Sequence, residues 1–241
     1  GFKQEGFCPK LGAPMKALLF SLLASGALLA AAPEKLTLED FTDPNGGKPG
    51  AGWTTEDGGV IHLTPQKGTG FLISKKEYAS FEMEWDWKLA DAGNNGIKYW
   101  VASIKDAKGK GEWLGIEYQM IDEPPANAAK AETKKGDGAH RALTSTGSFY
   151  EILPPPADKP IKPAGEWNNS KVVVRGKNIE HWLNGKKLLS FNLDSPEVKA
   201  GIAKSKFKDE PGFGEKITGH IMLTYHGDEA WIRSMKIKEL K

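Results

Sequence analysis

Trp113-Leu114-Gly115-Ile116-Glu117-Tyr118-Gln119-Met120-Ile121-Asp122 decides the fold class. Read with period two, Ile116, Tyr118 and Met120 point one way, and Glu117 and Gln119 point the other. One face suits a hydrophobic core; the other offers a carboxylate and an amide to a ligand. Pro124-Pro125 ends the strand, because proline donates nothing to a ladder. Upstream, Phe81-Glu82-Met83-Glu84-Trp85-Asp86-Trp87-Lys88-Leu89 alternates in the same way, with aromatic and aliphatic residues on one side and charges on the other.

Shorter strand patterns surround these two. Val60–Leu63 and Gly70–Ile73 flank a Pro/Gly turn, and Asp91–Gly96 has the composition of a hairpin connection into Ile97–Val101. Thr146–Leu153 is a strand candidate stopped by Pro154-Pro155-Pro156. Lys171–Arg175, Asn178–Leu183 and Lys187–Phe191 form a meander with a hairpin at Asn184-Gly185. His220–His226 and Ala230–Ile237 form a closing hairpin. Asp194-Ser195-Pro196 is an N-cap signal for one short helix within residues 194–216. Short strands without strand–helix alternation predict an all-β sandwich or jelly roll with at most one or two short helices.

The first 32 residues are set apart. Met15-Lys16 precedes an apolar run, Ala17–Leu29, and then Ala30-Ala31-Ala32, the pattern of a secretory signal peptide. Residues 1–14 lie upstream of a plausible initiator. The expected mature chain is one β-sandwich domain, residues 33–241, secreted or periplasmic after signal removal. The one cysteine, Cys8, lies upstream of it, so no disulfide is expected. Three lysines and one glutamate, a net +2, leave with the leader. The remainder of a chain whose formal charge is +2 is then neutral. Nothing in that balance favours nucleic acid, and no membrane insertion is expected.

Common catalytic motifs are missing: there is no phosphate loop, Gly-x-Ser-x-Gly elbow or His-Glu-x-x-His. The histidines His62, His140, His181, His220 and His226 are not paired at ligand spacing. A metal is left open, with Glu117 and Asp122 as the ligands it would take. A two-carboxylate glycosidase needs its acids about 5–9.5 Å apart, and same-face neighbours on a strand lie about 6.6 Å apart. Gln119 occupies that neighbouring position, and parity puts Asp122 on the other face unless a bulge intervenes. The spacing loosely resembles the Glu-x-Asp-x-x-Glu of laminarinase-type enzymes with its middle acid replaced. Lys98 and Trp100 share the polar side of their strand by parity, and an indole beside a charge is a platform on which sugar rings stack.

Gly93-Asn94-Asn95-Gly96-Ile97-Lys98-Tyr99, Gly115–Asp122, Thr146-Gly147-Ser148-Phe149-Tyr150, Gly165-Glu166-Trp167-Asn168, Glu180-His181-Trp182-Leu183-Asn184-Gly185 and His226-Gly227-Asp228 occur in this order. As a set they resemble the 3-keto-disaccharide hydrolase domain family over nearly the whole expected mature chain. The resemblance implies a concanavalin-A-like lectin/glucanase fold and cleavage of 3-keto-glycosides, by hydrolysis or by elimination and hydration. On that basis Glu117, His140 and His226 are the catalytic candidates, with Lys98, Trp100, Gln119, Arg141 and Arg233 as sugar contacts. His181, in phase with Ile179 and Leu183, fits a core histidine equally well. The rival function is a non-catalytic carbohydrate-binding module on the same fold, using Trp100. The chain departs from the family pattern at Glu123-Pro124-Pro125, at Thr224 two residues before His226, and at Ser234 after Arg233.

Overall fold

The computed structural model describes residues 1–3, 32–105, 111–123 and 138–241. The strands are β1 (Glu34–Lys35), β2 (Phe41–Thr42), β3 (Trp53–Glu56), β4 (Val60–Leu63), β5 (Leu72–Tyr78), β6 (Phe81–Leu89), β7 (Asn94–Lys105), β8 (Gly111–Ile121), β9 (Asn168–Arg175), β10 (Asn178–Leu183), β11 (Lys186–Asn192), β12 (Gly219–Leu223) and β13 (Ala230–Glu239). Two short helices, α1 (Gly138–Leu143) and α2 (Pro196–Lys204), and one 3-10 turn at Leu38–Asp40 complete the described elements. Ser195 caps α2 by accepting the Val198 amide at 3.3 Å, as its position before Pro196 predicts.

The strands form two antiparallel sheets. One has eight strands, in the order β11-β10-β9-β6-β13-β4-β3 with β1 beside β13; the other runs β2-β5-β12-β7-β8. The fold is therefore the all-β jelly-roll sandwich that the alternation predicts. The meander is confirmed, with Asn184 and Gly185 at φ 46° and 82° as a tight hairpin requires.

Three local readings change. The Ala90–Gly93 turn is a crossing between sheets, since β6 pairs with β9 and β13 while β7 pairs with β8 and β12. Thr224–Glu229 is also a crossing, because β12 and β13 lie in different sheets. Turn chemistry sets a reversal of direction; whether the two arms pair or separate depends on which face each must bury. Residues 146–153 form turns with isolated bridges, because Gly147 and Glu151 take φ 83° and 68°, outside the strand region.

The core is built from the inward faces of both sheets. Phe81, Met83, Trp85, Trp87 and Leu89 of β6 are all buried, as are Ile97, Tyr99, Ile116, Tyr118 and Met120 opposite. Trp85 meets Tyr118 edge-on at 5.2 Å. Polar tips inside the core are satisfied in a chain: Trp87 Nε1–H donates to Ser170 Oγ (2.8 Å), Ser170 to Tyr118 Oη (2.9 Å), and Tyr118 to the Trp182 carbonyl (3.0 Å).

His181 belongs to this core. Nδ1–H donates to the Gly147 carbonyl at 3.0 Å, which leaves Nε2 to accept the Tyr99 hydroxyl at 2.9 Å. Burial lowers its pKa from 6.5 to about 4. The unfolded chain therefore binds a proton between pH 6.5 and 4 that the folded protein refuses. His181's contribution is complete above pH 6.5 and is lost as pH falls through 4. The shift corresponds to about 3 kcal/mol, order of magnitude. His181→Gln keeps a donor and an acceptor but cannot titrate. Urea unfolding at pH 7, 5.5 and 4.5 is expected to show a flatter pH dependence for it than for the native chain; parallel profiles would refute this account.

Candidate functional site

The outward face of the five-stranded sheet carries the polar residues. Glu117 is buried on this face, and its cross-strand partner on β7 is Lys98, with Nζ 3.6 Å from Oε2. The Thr224–Glu229 crossing brings His226 over the same carboxylate, Nε2 lying 4.0 Å from Oε1. That crossing is tied to the start of β7. The Thr224 hydroxyl donates to the Gly96 carbonyl at 3.0 Å, Asn95 Nδ2 donates to the Thr224 carbonyl at 3.2 Å, and Asp228 accepts the Asn94 amide at 2.9 Å. The departure at Thr224 thus has a structural role. Gln119 is buried on the same face and donates to Asn94 Oδ1 at 3.1 Å.

Two features mark Glu117 as more than a sheet residue. Its Oε1 is buried with no hydrogen-bond partner among the described residues, which in a folded protein costs free energy and calls for explanation. Gly96 stands opposite Gln119 on β7, and a Cβ there would collide with Glu117 Oε1. The carboxylate therefore occupies a hollow that exists because residue 96 has no side chain. The His226 imidazole is held below its ordinary range, chiefly by burial. The Glu117 charge works against that shift, while those of Lys98 and Lys206 add to it. At neutral pH the imidazole in the site is therefore uncharged.

The other expected site residues scatter. Trp100 is 2% exposed, in the main core, and donates Nε1–H to the Ala79 carbonyl at 2.8 Å. The β7–β8 register shifts between Tyr99 and Ala102, and Trp100 takes φ 54°. This bulge turns both Tyr99 and Trp100 inward and sends Val101 into the outer apolar cluster with Ile73 and Met222. Gly115 makes room for it, since a Cβ there would lie 2.6 Å from Val101 Cγ2. Trp100 is therefore no sugar platform. Two aromatics stay half-buried beside the outer cluster, Phe71 and Trp113, and Trp113 lies two same-face steps from Glu117, or about 13 Å.

Arg233 belongs to the opposite surface. Its neighbour Ile232 faces the core, so Arg233 projects from the eight-stranded sheet. There it meets Asp86 at 3.3 Å and lies over the Trp167 ring at 4.0 Å. A sandwich interior about 10 Å thick separates that face from Glu117. Asp122 does not join Glu117 either. β8 stays regular there, and Asp122 Oδ2 accepts the Ala92 amide at 2.9 Å. His140 and Arg141 are exposed on α1, where His140 Nδ1 lies 3.9 Å from Glu151. Among the described residues neither touches Glu117 or His226, and no cluster of three or more His, Cys, Asp or Glu side chains stands ready for a metal. A separate cavity of about 590 Å³ at the β2–β3 edge, lined by Leu38, Phe41 and Trp53, shares no residue with this site.

The fold and the candidate site define a jelly-roll sandwich protein whose outer sheet face carries, among the described residues, a buried, under-bonded carboxylate beside Lys, His and Gln. The chain belongs to the 3-keto-alpha-glucoside-1,2-lyase-like domain family, which it matches over residues 34–238. It is 29% identical over 211 residues to a 3-keto-disaccharide hydrolase of Bacteroides thetaiotaomicron, covering 78% of this chain and 70% of that one. A crystal structure of a candidate glycosyl hydrolase from Parabacteroides distasonis is 32% identical, with a TM-score of 0.69 over 85% of this chain and 90% of the other. A second such structure from that organism, 24% identical with a TM-score of 0.62, covers 87% and 100% and shows the shared fold.

Proposed function

We propose that this protein cleaves 3-keto-glycosides, with Glu117 as the base. The observation that carries this reading is the buried, partnerless Oε1 of Glu117 beside Lys98 and His226, in a chain of this family. A ketone at C3 acidifies the C2 proton, and the C1 oxygen is β to the carbonyl. One base and an oxyanion stabiliser therefore suffice, and no second acid beside Glu117 is required.

Glu117 takes the C2 proton. The C–H electron pair forms C2=C3, and the carbonyl pair moves to O3. Its return re-forms C3=O, makes C1=C2 and breaks the C1–O bond to the aglycone. The proton collected by Glu117 passes to His226, 4.0 Å away through a water or a small rotation, and then to the departing oxygen. An imidazole held below its usual pKa gives up that proton readily. Water adding at C1, with a proton returning to C2, completes a net hydrolysis. Gln119 and Asn94 are placed to bind hydroxyls, and half-buried Trp113 offers a ring face. In this reading the protein is secreted or periplasmic, consistent with the Met15–Ala32 pattern.

A chromogenic 3-keto-glucoside tests the reading: release of the chromophore is expected, whereas binding without release would return the protein to the binding-module alternative. Burial of Trp100 has removed the platform on which that alternative stood. Gly96→Ala is expected to displace the Glu117 carboxylate and lower kcat by about 100-fold, since a 1 Å misplacement can have that effect. Steady-state kinetics beside a thermal melt check it, and an unchanged kcat in a folded variant would show that the hollow does not matter.

A further inference from the structure

The geometry points to Lys206, held against Tyr150, as the group that receives the C3 oxygen of the substrate and stabilises its enolate. The inference rests on the proposed 3-keto-glycoside reaction. Tyr150 is placed by register. Phe149 bridges Tyr118 at the free edge of β8, and both rings are buried in the core. The next residue along therefore falls on the outer face, and the Tyr150 amide donates to the Glu117 carbonyl at 3.2 Å. Lys98, Glu117 and Tyr150 thus form one row across three adjacent segments.

Lys206 completes the row from a different part of the chain. Its Nζ lies 3.4 Å from Tyr150 Oη, 4.5 Å from the Tyr150 ring centre and 5.2 Å from that of Phe207. The backbone beneath it is anchored. Phe207 stacks on buried Phe213 at 4.1 Å, and the Ser205 hydroxyl donates to the Ile202 carbonyl while accepting the Phe207 amide. The ammonium itself stays exposed, and its charge is the smallest of the contributions to the lowered His226 pKa, behind burial and the nearer charges.

The two lysines differ in what they already hold. Lys98 lies against the Glu117 carboxylate, whereas among the described residues no carboxylate pairs with Lys206. A cation held against Tyr150, whose amide bonds the Glu117 carbonyl, and lacking a counter-anion among the described residues suits an oxyanion that exists only after the proton has left. As the C2–H pair forms C2=C3 and charge collects on O3, an Nζ–H of Lys206 donates to it. No proton need be transferred, and charge and atoms balance.

Exchange of the C2 proton in deuterium oxide, followed by NMR, reads enolate formation apart from aglycone release. Lys206→Met is expected to slow both by about 100-fold, the loss typical of one oxyanion donor, with KM within about threefold. Lys206→Arg should recover part of the rate, and melting midpoints should match the native chain because residue 206 is exposed. Native exchange in Lys206→Met, or a loss confined to KM, overturns the inference while leaving Glu117 as base. If the native protein neither exchanges C2 nor releases aglycone, the proposed function falls and this inference falls with it.

Discussion

Glu117→Gln is expected to reduce turnover of a 3-keto-glycoside by about 1,000-fold, within the range for loss of a positioned general base. The substitution keeps volume and one carbonyl oxygen but cannot take the C2 proton. Folding should survive, because the carboxylate is not a keystone of the hydrogen-bond network: Oε1 has no partner, and Lys98 Nζ is 3.6 Å from Oε2. Affinity for a 3-keto-C-glycoside, whose C1–C bond offers no leaving group, should stay close to native, since Gln119, Asn94 and Trp113 remain. The decisive measurements are kcat and calorimetric binding on the same preparation. Full turnover with native binding would remove Glu117 from the mechanism. Loss of binding in step with turnover would make it a sugar ligand instead.

Trp100→Ala is expected to destabilise the protein by about 3–5 kcal/mol, the cost of truncating a buried tryptophan. The indole is in the main core, edge-on to Tyr99 at 5.9 Å, and the Ala79 carbonyl would lose its donor. Trp100→Phe, which keeps the ring but not the N–H, should lose roughly 1–3 kcal/mol. Chemical denaturation measures both. The fraction of Trp100→Ala that folds should bind the C-glycoside as the native chain does. A variant of native stability that had lost sugar affinity would reinstate Trp100 as an exposed platform.

These two residues also separate what alternation could and could not reveal. Glu117 was legible because β8 is regular from Tyr118 to Met120, so its parity in sequence is its parity in space. The same holds for β6, whose five inward residues are all buried. Trp100 was misread because one residue with φ 54° adds a position to β7 without adding one to β8, and every later residue changes face. Gly115, whose missing Cβ admits the bulge, was its sole local trace. Arg233 was misassigned for a different reason. Outward-facing residues of the two sheets look alike in one dimension, and only the sheet to which a strand belongs tells one surface from the other.

The sequence by itself determined the fold class, the alternating faces of β6 and β8, the β10–β11 hairpin, the α2 cap and the resemblance to the family, because each depends on contacts between residues close along the chain or on an ordered set of motifs. The assembly of the site was decided only by the tertiary structure. His226 meets Glu117 because Thr224–Glu229 crosses between sheets instead of closing a hairpin, and Tyr150 and Lys206 arrive from segments about 30 and 90 residues downstream of Glu117. Which distant side chains share a sheet face depends on pairing partners and bulges, which are set by burial of the whole core and leave little mark on the periodicity of any one strand.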